Sequence, residues 1–377
     1  MITPSYHPTT SEPCHFIHPC NTPKVLSSLP PSSSPLVSFL SLSLPLFLPS
    51  LPTSYFPPLL SHIKQYRTPL TLHFDVNETL ILSDSAGGDT YTDTINKIIT
   101  KAIEVEVDPA TSSTSILPSP SSNPDLTSPP IIQSFLLPPN HTTYYRSPLK
   151  PTVPNFLSTP LGEPFKGLHQ SLESLMVAPP STPSSLSRPH PSNGSQTHYI
   201  LPSFFRLLSH LSKTRRPHSV IIRTFGDDVD EIISALKSFG SGSMPGHEDY
   251  SCGGIFDDLT QVIGRHVATP RGREFILFDT GGGRITRTEE ETAEYVHAKR
   301  SLAVTDDYET WSKNGCRPEF GKPVWVREGV GTVFFDDNIH PSPTDSIVSV
   351  RRWRGGGWRF VGGEEQMTEE GRTLVRV

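Results

Sequence analysis

The stretch that decides the fold is Leu72-His-Phe-Asp-Val-Asn-Glu-Thr-Leu-Ile-Leu82, in which an apolar run ends at Asp75 and the chain soon becomes apolar again. Such a run predicts a strand that delivers the Asp75 carboxylate to the end of a sheet. Asn77 and Thr79 follow at every second position, so the turn keeps one polar face. Because ligands of open α/β sheets bind beyond the carboxyl ends of the strands, this pattern predicts a ligand site at Asp75.

Two further segments, His218–Thr224 and Gly331–Asn338, have the same form of a short apolar strand that ends in polar residues. The first ends in the hydroxyl of Thr224, and a helix is predicted after it. The second ends in the adjacent carboxylates of Asp336 and Asp337. The sequence therefore predicts that polar groups from three strands meet at one edge of a parallel sheet.

In their order along the chain, these segments resemble the motifs of the haloacid dehalogenase-like (HAD) hydrolases. Motif I of that family is Asp-x-Asp-x-Thr, and this chain has Asn in place of the second Asp. The matching positions are Asp75 and Asn77 for motif I, Thr224 for motif II, Lys322 for motif III, and Asp336 and Asp337 for motif IV. The resemblance implies an α/β fold with a Rossmann-like (HAD) parallel sheet flanked by helices.

The resemblance also implies a Mg²⁺-dependent phosphatase that acts through an aspartyl-phosphate on a small-molecule or phosphoprotein substrate. Asp75 would be the nucleophile, Thr224 would bind the phosphoryl oxygens, and Lys322 would offset the negative charge. Mg²⁺ prefers oxygen ligands and keeps several waters. Its implied ligands are Asp75, the main-chain carbonyl of Asn77, and Asp336 or Asp337.

Asn77 leaves three interpretations open, because an amide cannot relay a proton at neutral pH as the second Asp of the motif does. The chain is a slow phosphatase that prefers good leaving groups, a HAD enzyme of other chemistry, or a non-catalytic HAD-like scaffold or binding protein. By strand alternation, we expect the adjacent Glu78 to face away from the site. The identity of the substrate is left open.

Composition limits both the folded part of the chain and its partners. Of the 377 residues only 34% are hydrophobic and 40 are prolines, so much of the chain cannot be packed core. The net charge of −6 argues against a nucleic-acid partner, and we do not expect a membrane to be a partner. The four cysteines include no Cys-x-x-Cys pair, which predicts no disulfide framework. Cys14 to Cys20 includes two histidines, but its spacing fits no common zinc finger.

We predict four segments along the chain. Residues 1–68 are a disordered, low-complexity or targeting extension, a marginal membrane segment, or an untranslated stretch wrongly included in the gene sequence. Residues 69–107 and 199–354 form the HAD-like catalytic core. Between them, residues 108–198 are a Pro/Ser-rich and mostly disordered insertion in the position of the HAD cap, and residues 355–377 are a C-terminal tail. The location is cytoplasmic or organellar, and the oligomeric state is left open.

Local patterns predict several further elements. The spacing of isoleucines predicts a helix over Thr92–Val107, and one apolar face predicts another over Tyr199–Leu211. Gly272–Arg287 is interpreted as two strands around a glycine turn. The basic turn Lys213–Arg216 is interpreted as the solvated C-terminus of the second helix, where cations complement the helix dipole.

Overall fold

The structure is a computed structural model that describes residues 69–83, 89–108, 114–116, 140–247, 254–327, 330–339, 346–361 and 374–376. These residues form a mixed α/β protein with a seven-stranded main sheet, three smaller sheets and flanking helices. Among them, no helix is both long enough and apolar enough to cross a membrane. The predicted features of residues 1–68, including the Cys14 to Cys20 stretch, lie outside the described residues.

In chain order the strands are β1 (Leu70–Asp75), β2 (Glu104–Val107), β3 (Thr114–Ile116), β4 (His141–Thr143), β5 (Ser187–Pro189), β6 (Gln196–His198), β7 (His218–Thr224), β8 (Gln261–Thr269), β9 (Gly272–Phe278), β10 (Ser301–Thr305), β11 (Lys322–Val326), β12 (Gly331–Asp336), β13 (Val348–Arg354), β14 (Gly357–Phe360) and β15 (Leu374–Arg376). The helices are α1 (Tyr91–Ala102), α2 (Lys166–Leu175), α3 (Pro202–Lys213), α4 (Val229–Gly240), α5 (Glu289–Ala298) and α6 (Tyr308–Lys313).

The main sheet has the strand order β15-β12-β1-β7-β10-β8-β9. Each pair of neighbours is parallel except β8 and β9, which form an antiparallel pair. The registers place Phe74 beside both Phe335 of β12 and Ile222 of β7. Since these parallel strands end at the same level, the side chains that follow them meet at one edge, as the sequence predicts.

Separate apolar cores cover the two faces of the main sheet. Alternate residues of β7 point to opposite faces, so Val220 and Ile222 lie in one core and Ile221 in the other. Helices α3 and α4 supply the first core with apolar residues such as Phe205 and Leu236. Helix α5 contributes to the second core. The consecutive apolar residues Val220–Ile222 of β7 are typical of a strand that is covered on both sides.

A second sheet brings a charged residue to the edge of the first. In this sheet β11 is parallel to β13, and β13 is antiparallel to β14. Lys322 begins β11, and its N–H donates to the carbonyl of Ile347 at 2.7 Å. A Cβ atom at Gly321 would lie 2.0 Å from that carbonyl oxygen, so this close approach requires glycine. Gly321 thus allows the chain to place Lys322 beside the main sheet.

The chain between the first two strands of the main sheet differs from the sequence-based expectation. Helix α1 ends at Ala102, because Glu104–Val107 alternates polar and β-branched residues and pairs as β2. Residues 140–198, predicted to be mostly disordered, contain short 3₁₀ segments, helix α2 and the β5–β6 hairpin. Their aromatic and aliphatic side chains pack against α1 around the buried Phe156. This core explains how a Pro/Ser-rich segment is ordered.

Two other expectations are also corrected by the structure. Residues 279–287 do not form a strand after the glycine turn; β9 instead pairs with β8, which precedes it, and only an isolated bridge joins Phe278 to Arg284. The predicted C-terminal tail contains β14, which pairs with β13 and buries Trp358.

The helix predicted within Tyr199–Leu211 is confirmed as α3. The division of the chain into four segments stays a prediction.

Candidate metal centre

Three buried carboxylates meet at the carboxyl edge of the main sheet. Asp75 ends β1, Asp336 ends β12, and Asp337 follows Asp336 directly. One oxygen from each of the three lies within 4.8 Å of the others. All three side chains are buried. Like charges in a buried site repel strongly, so this arrangement requires compensating cations.

Lys322 supplies the first compensating charge. Its Nζ atom donates to a carboxylate oxygen of Asp75 and to Oδ2 of Asp336, the latter at 2.9 Å. The side chain is only 1% exposed, so the ammonium group is held between the ends of β1 and β12. Burial alone would lower the pKa of Lys322, but Asp336 and Asp75 raise it, and the ammonium stays charged.

A second lysine, Lys101 of α1, approaches the cluster from the other side. Its Nζ atom donates to Oδ2 of Asp337 and, at 2.5 Å, to Oε2 of Glu78. Lys97, one helical turn earlier, donates to the other oxygen of Glu78 at 3.0 Å. Glu78 has a φ of 57° in the turn after β1. The expectation that Glu78 faces away from the site is therefore wrong, because the left-handed turn breaks the strand alternation.

The charges of the cluster are not fully balanced. Burial raises the pKa of Asp75 well above its ordinary value, and Asp336 and Asp337 add to the rise although Lys322 opposes it. Burial likewise raises the pKa of Asp337 to about 7 against the opposing effect of Lys101. For Glu78, burial is outweighed by Lys101 and Lys97, which lower its pKa to about 2. The raised pKa values of Asp75 and Asp337 indicate that a further positive charge beside these two carboxylates is favourable.

Thr224 and Asn77 lie together at the same edge. The hydroxyl of Thr224 accepts the N–H of Gly226 at 2.8 Å. A Cβ atom on Gly226 would lie 3.4 Å from Nδ2 of Asn77 and 3.5 Å from the Thr224 hydroxyl, so the turn after β7 lies against the turn after β1. Oδ1 of Asn77 is buried and has no hydrogen-bond partner. The structure thus brings all six predicted site residues to one edge of the sheet.

A buried ion pair joins β7, which ends at Thr224, to the residue after β10 and to β11. Arg223 of β7 donates to both carboxylate oxygens of Asp306, from Nε at 2.9 Å and from Nη2 at 2.5 Å. It also donates to the carbonyl of Pro323 at 2.7 Å, directly after Lys322. The N–H of Asp306 in turn donates to the carbonyl of Thr224 at 2.7 Å. This bidentate pair fixes β11 relative to the main sheet.

The arrangement is chemically suited to a divalent cation. Asn338 also donates to Asp336 and Asp337, but each carboxylate has about four lone-pair sites, so the hydrogen bonds from Lys322, Lys101 and Asn338 leave acceptor capacity for a metal ion. Mg²⁺ needs few protein oxygens, because it keeps several waters. The partnerless Oδ1 of Asn77 is a further oxygen at the same edge. These residues fit a Mg²⁺ site.

Comparison with known proteins gives one family match, which covers residues 1–53. The matching model describes the active-site domain of the autophagocytosis associated protein family. The match ends before the first described residue, so it does not include β1 or any residue of the acidic cluster. No curated protein and no solved structure matches the chain.

The match contradicts the identification of the chain as a HAD hydrolase, since the matched family is a different one. The predicted Mg²⁺-dependent phosphatase is wrong on the same finding, and so are its two HAD-based alternatives, a scaffold and an enzyme of other chemistry. The matched family consists of E2-like conjugating enzymes, which transfer ubiquitin-like proteins and are not hydrolases. Such enzymes act on protein partners, so the predicted small-molecule substrate is also wrong.

Sequence reasoning missed the residues that reach the cluster from outside the strand ends. Lys97 and Lys101 are one helical turn apart on α1, a spacing that places both charges on one face. Arg223 directly follows the apolar run Val220–Ile222, and an arginine that is buried in such a strand needs an acidic partner. The adjacent acids Asp306 and Asp307 after β10 are the matching signal.

Proposed function

We propose that the described α/β domain binds one divalent cation, Mg²⁺, with Asp75, Asp336 and Asp337 as ligands. The convergence of three buried carboxylate oxygens within 4.8 Å carries the proposal. The main-chain carbonyl of Asn77 is the fourth protein ligand that we propose. Lys322 balances charge beside the ion, and Thr224 positions the turn at Gly226 that lies against Asn77.

We also propose that the main sheet has a Rossmann-like arrangement. The order of the parallel strands and the cores on both sheet faces support a Rossmann-like arrangement of the main sheet. In such sheets the carboxyl edge is where ligands bind, and the acidic cluster lies at that edge. Location in the cytoplasm or in an organelle stays a prediction.

A thermal unfolding experiment tests the cation site. At a Mg²⁺ concentration ten times the Kd, binding to the folded state alone stabilises it by about 1.4 kcal/mol. We expect Mg²⁺ to raise the Tm of the full chain relative to Na⁺ at equal ionic strength. We expect Asp336→Asn to lose this increment, and Asp230→Asn, an exposed control on α4, to keep it.

The increment is compared within each variant, so a change in the stability of the variant itself does not obscure it. Asp337→Asn serves as a second test if Asp336→Asn does not fold. The proposal is contradicted if Mg²⁺ leaves the Tm of the unaltered chain unchanged. It is equally contradicted if the increment survives in the variants of the cluster.

A second candidate function is a part in protein conjugation, and the family match over residues 1–53 supports it. Cys14 and Cys20 both lie within the matched residues. A cysteine thiolate is a suitable nucleophile for acyl transfer. In such a step the thiolate attacks the thioester of an activated ubiquitin-like protein, a new thioester forms, and the thiolate of the activating enzyme leaves.

This candidate predicts a covalent adduct that a thiol reagent cleaves. The chain would be incubated with a ubiquitin-like protein of the autophagy type, its activating enzyme and ATP, and analysed by gel electrophoresis without reductant. We expect an adduct that disappears when dithiothreitol is added. We also expect one of the two variants, Cys14→Ser or Cys20→Ser, to form no adduct. Cys252→Ser is the control outside the matched residues. Absence of a reductant-sensitive adduct with the unaltered chain contradicts this candidate.

A further inference from the structure

A second polar site lies at the opposite edge of the main sheet from the acidic cluster. A cavity of about 520 Å³ opens there, where β1, β7 and β10 begin. Its walls include Pro69 before β1, His218 and Ser219 of β7, and Arg300 directly before β10. The turn after α3 completes the wall with Arg215 and Arg216. We call this cavity the basic cleft.

The basic cleft collects positive charge from separate parts of the chain. Three guanidinium groups line it, those of Arg215, Arg216 and Arg300, together with the imidazole of His218. None of the described residues that line it is acidic. The hydroxyls of Ser212 and Ser219 add neutral hydrogen-bonding groups.

Main-chain hydrogen bonds hold these segments in place. The N–H of Arg216 donates to the carbonyl of Leu211 at 2.9 Å, and the N–H of Leu70 donates to the carbonyl of Pro217 at 2.9 Å. The N–H of Val220 donates to the carbonyl of Arg300, also at 2.9 Å. The three arginines are therefore mounted on one connected backbone framework.

The dipole of α3 does not account for all of the basic residues that line the cleft. Arg215 and Arg216 follow the C-terminus of α3, where cations are favourable in any helix. Arg300, however, comes from another segment, and its approach to the first two arginines adds repulsion. Burial lowers the pKa of His218, and Arg300 adds to this effect, so the three arginines supply the positive charge of the cleft. Convergence of like charges in a cavity is typical of an anion site.

We propose that the basic cleft binds a multivalent oxyanion of the phosphate type. Guanidinium groups donate paired hydrogen bonds that match the geometry of phosphate oxygens. The cavity volume lies in the range of small-ligand sites and exceeds that of a single phosphate ion. The cleft therefore has room for a ligand that carries its anionic group on a larger body, or that carries more than one such group.

Inorganic pyrophosphate is the probe for this proposal. Its binding to the full chain would be measured by titration calorimetry without divalent cations, so that the acidic cluster repels the probe. We expect saturable binding of pyrophosphate that sodium chloride at equal ionic strength does not reproduce. Removing one guanidinium that makes charged hydrogen bonds weakens binding about tenfold or more.

Variants locate the binding and separate guanidinium geometry from charge. We expect Arg300→Gln and Arg215→Gln to weaken pyrophosphate binding at least about tenfold. Arg300→Lys keeps the charge and should restore only part of the affinity, because an ammonium lacks the paired donors. Arg265→Gln, exposed on β8 outside the cleft, should leave the affinity unchanged.

Two results would overturn the proposal. One is the absence of saturable binding to the unaltered chain. The other is equal loss of affinity in Arg265→Gln and Arg300→Gln, which would mean general attraction by the surface. Replacing pyrophosphate with a singly phosphorylated peptide then distinguishes the source of the anion. Tighter binding of the peptide indicates that the anion belongs to a protein ligand. Tighter binding of pyrophosphate indicates a free anion.

Discussion

Replacing Lys322 with methionine is expected to destabilise the folded chain by about 3–5 kcal/mol, the cost of leaving buried charges without their partner. Lys322 is 1% exposed and contacts both Asp75 and Asp336. Without the ammonium group, the carboxylates either repel each other or take up a proton. Urea unfolding at neutral pH measures the loss.

The exposed pair of Lys313 and Glu309 provides the control. Both side chains are more than 70% exposed, so Lys313→Met should change the stability by no more than about 1 kcal/mol. The Lys322→Met variant should also respond more strongly to Mg²⁺ than the unaltered chain, because a divalent cation at the cluster replaces the lost charge. An equally small effect of both methionine variants would show that Lys322 does not compensate the cluster.

Replacing Arg223 with methionine should have a similarly large effect, again about 3–5 kcal/mol. Arg223 and Asp306 are each 1% exposed, and the pair also includes the carbonyl of Pro323. The variant leaves the Asp306 carboxylate buried without its bidentate partner. The loss is measured by the same urea unfolding experiment.

A double-mutant cycle separates the pair from its surroundings. Arg223→Met combined with Asp306→Leu should be less destabilised than the sum of the single variants, because no buried charge is left unpaired. Arg317→Met serves as the control in which an exposed ion pair is removed, since Arg317 is 63% exposed in its pair with Glu319. Additive effects of the Arg223 and Asp306 changes would contradict the account of this pair.

The site residues at the strand ends could be predicted from the sequence, because each belongs to a local sequence pattern. Asp75, Thr224 and Asp336 each close an apolar run, and parallel strands bring their ends to one edge. Lys101 was not accessible in this way, because it and its partner Asp337 are 236 residues apart. A pairing over that distance is decided by how α1 packs, and no local pattern encodes it.

Composition was a poor guide to the chain between β1 and β7. The Pro/Ser-rich residues 140–198 lack long periodic runs, yet Tyr144, Phe156 and Phe165 are buried in one core with α1. Short 3₁₀ segments accommodate Pro151 and Pro164 in their first turns, and the backbone departs from helical geometry at Asn155, directly after Pro154. The function was the least accessible part, because a resemblance of strand-end motifs pointed to a family that the match over residues 1–53 contradicts.

Titration of Mn²⁺ followed by electron paramagnetic resonance tests the proposed cation site most directly, because the signal of the free ion falls as the protein binds it. The account predicts one bound Mn²⁺ per chain that Mg²⁺ displaces. Binding should be lost in Asp336→Asn and retained in the exposed control Asp230→Asn. No binding by the unaltered chain, or undiminished binding by Asp336→Asn, would contradict the assignment of Asp75, Asp336 and Asp337 as a metal site.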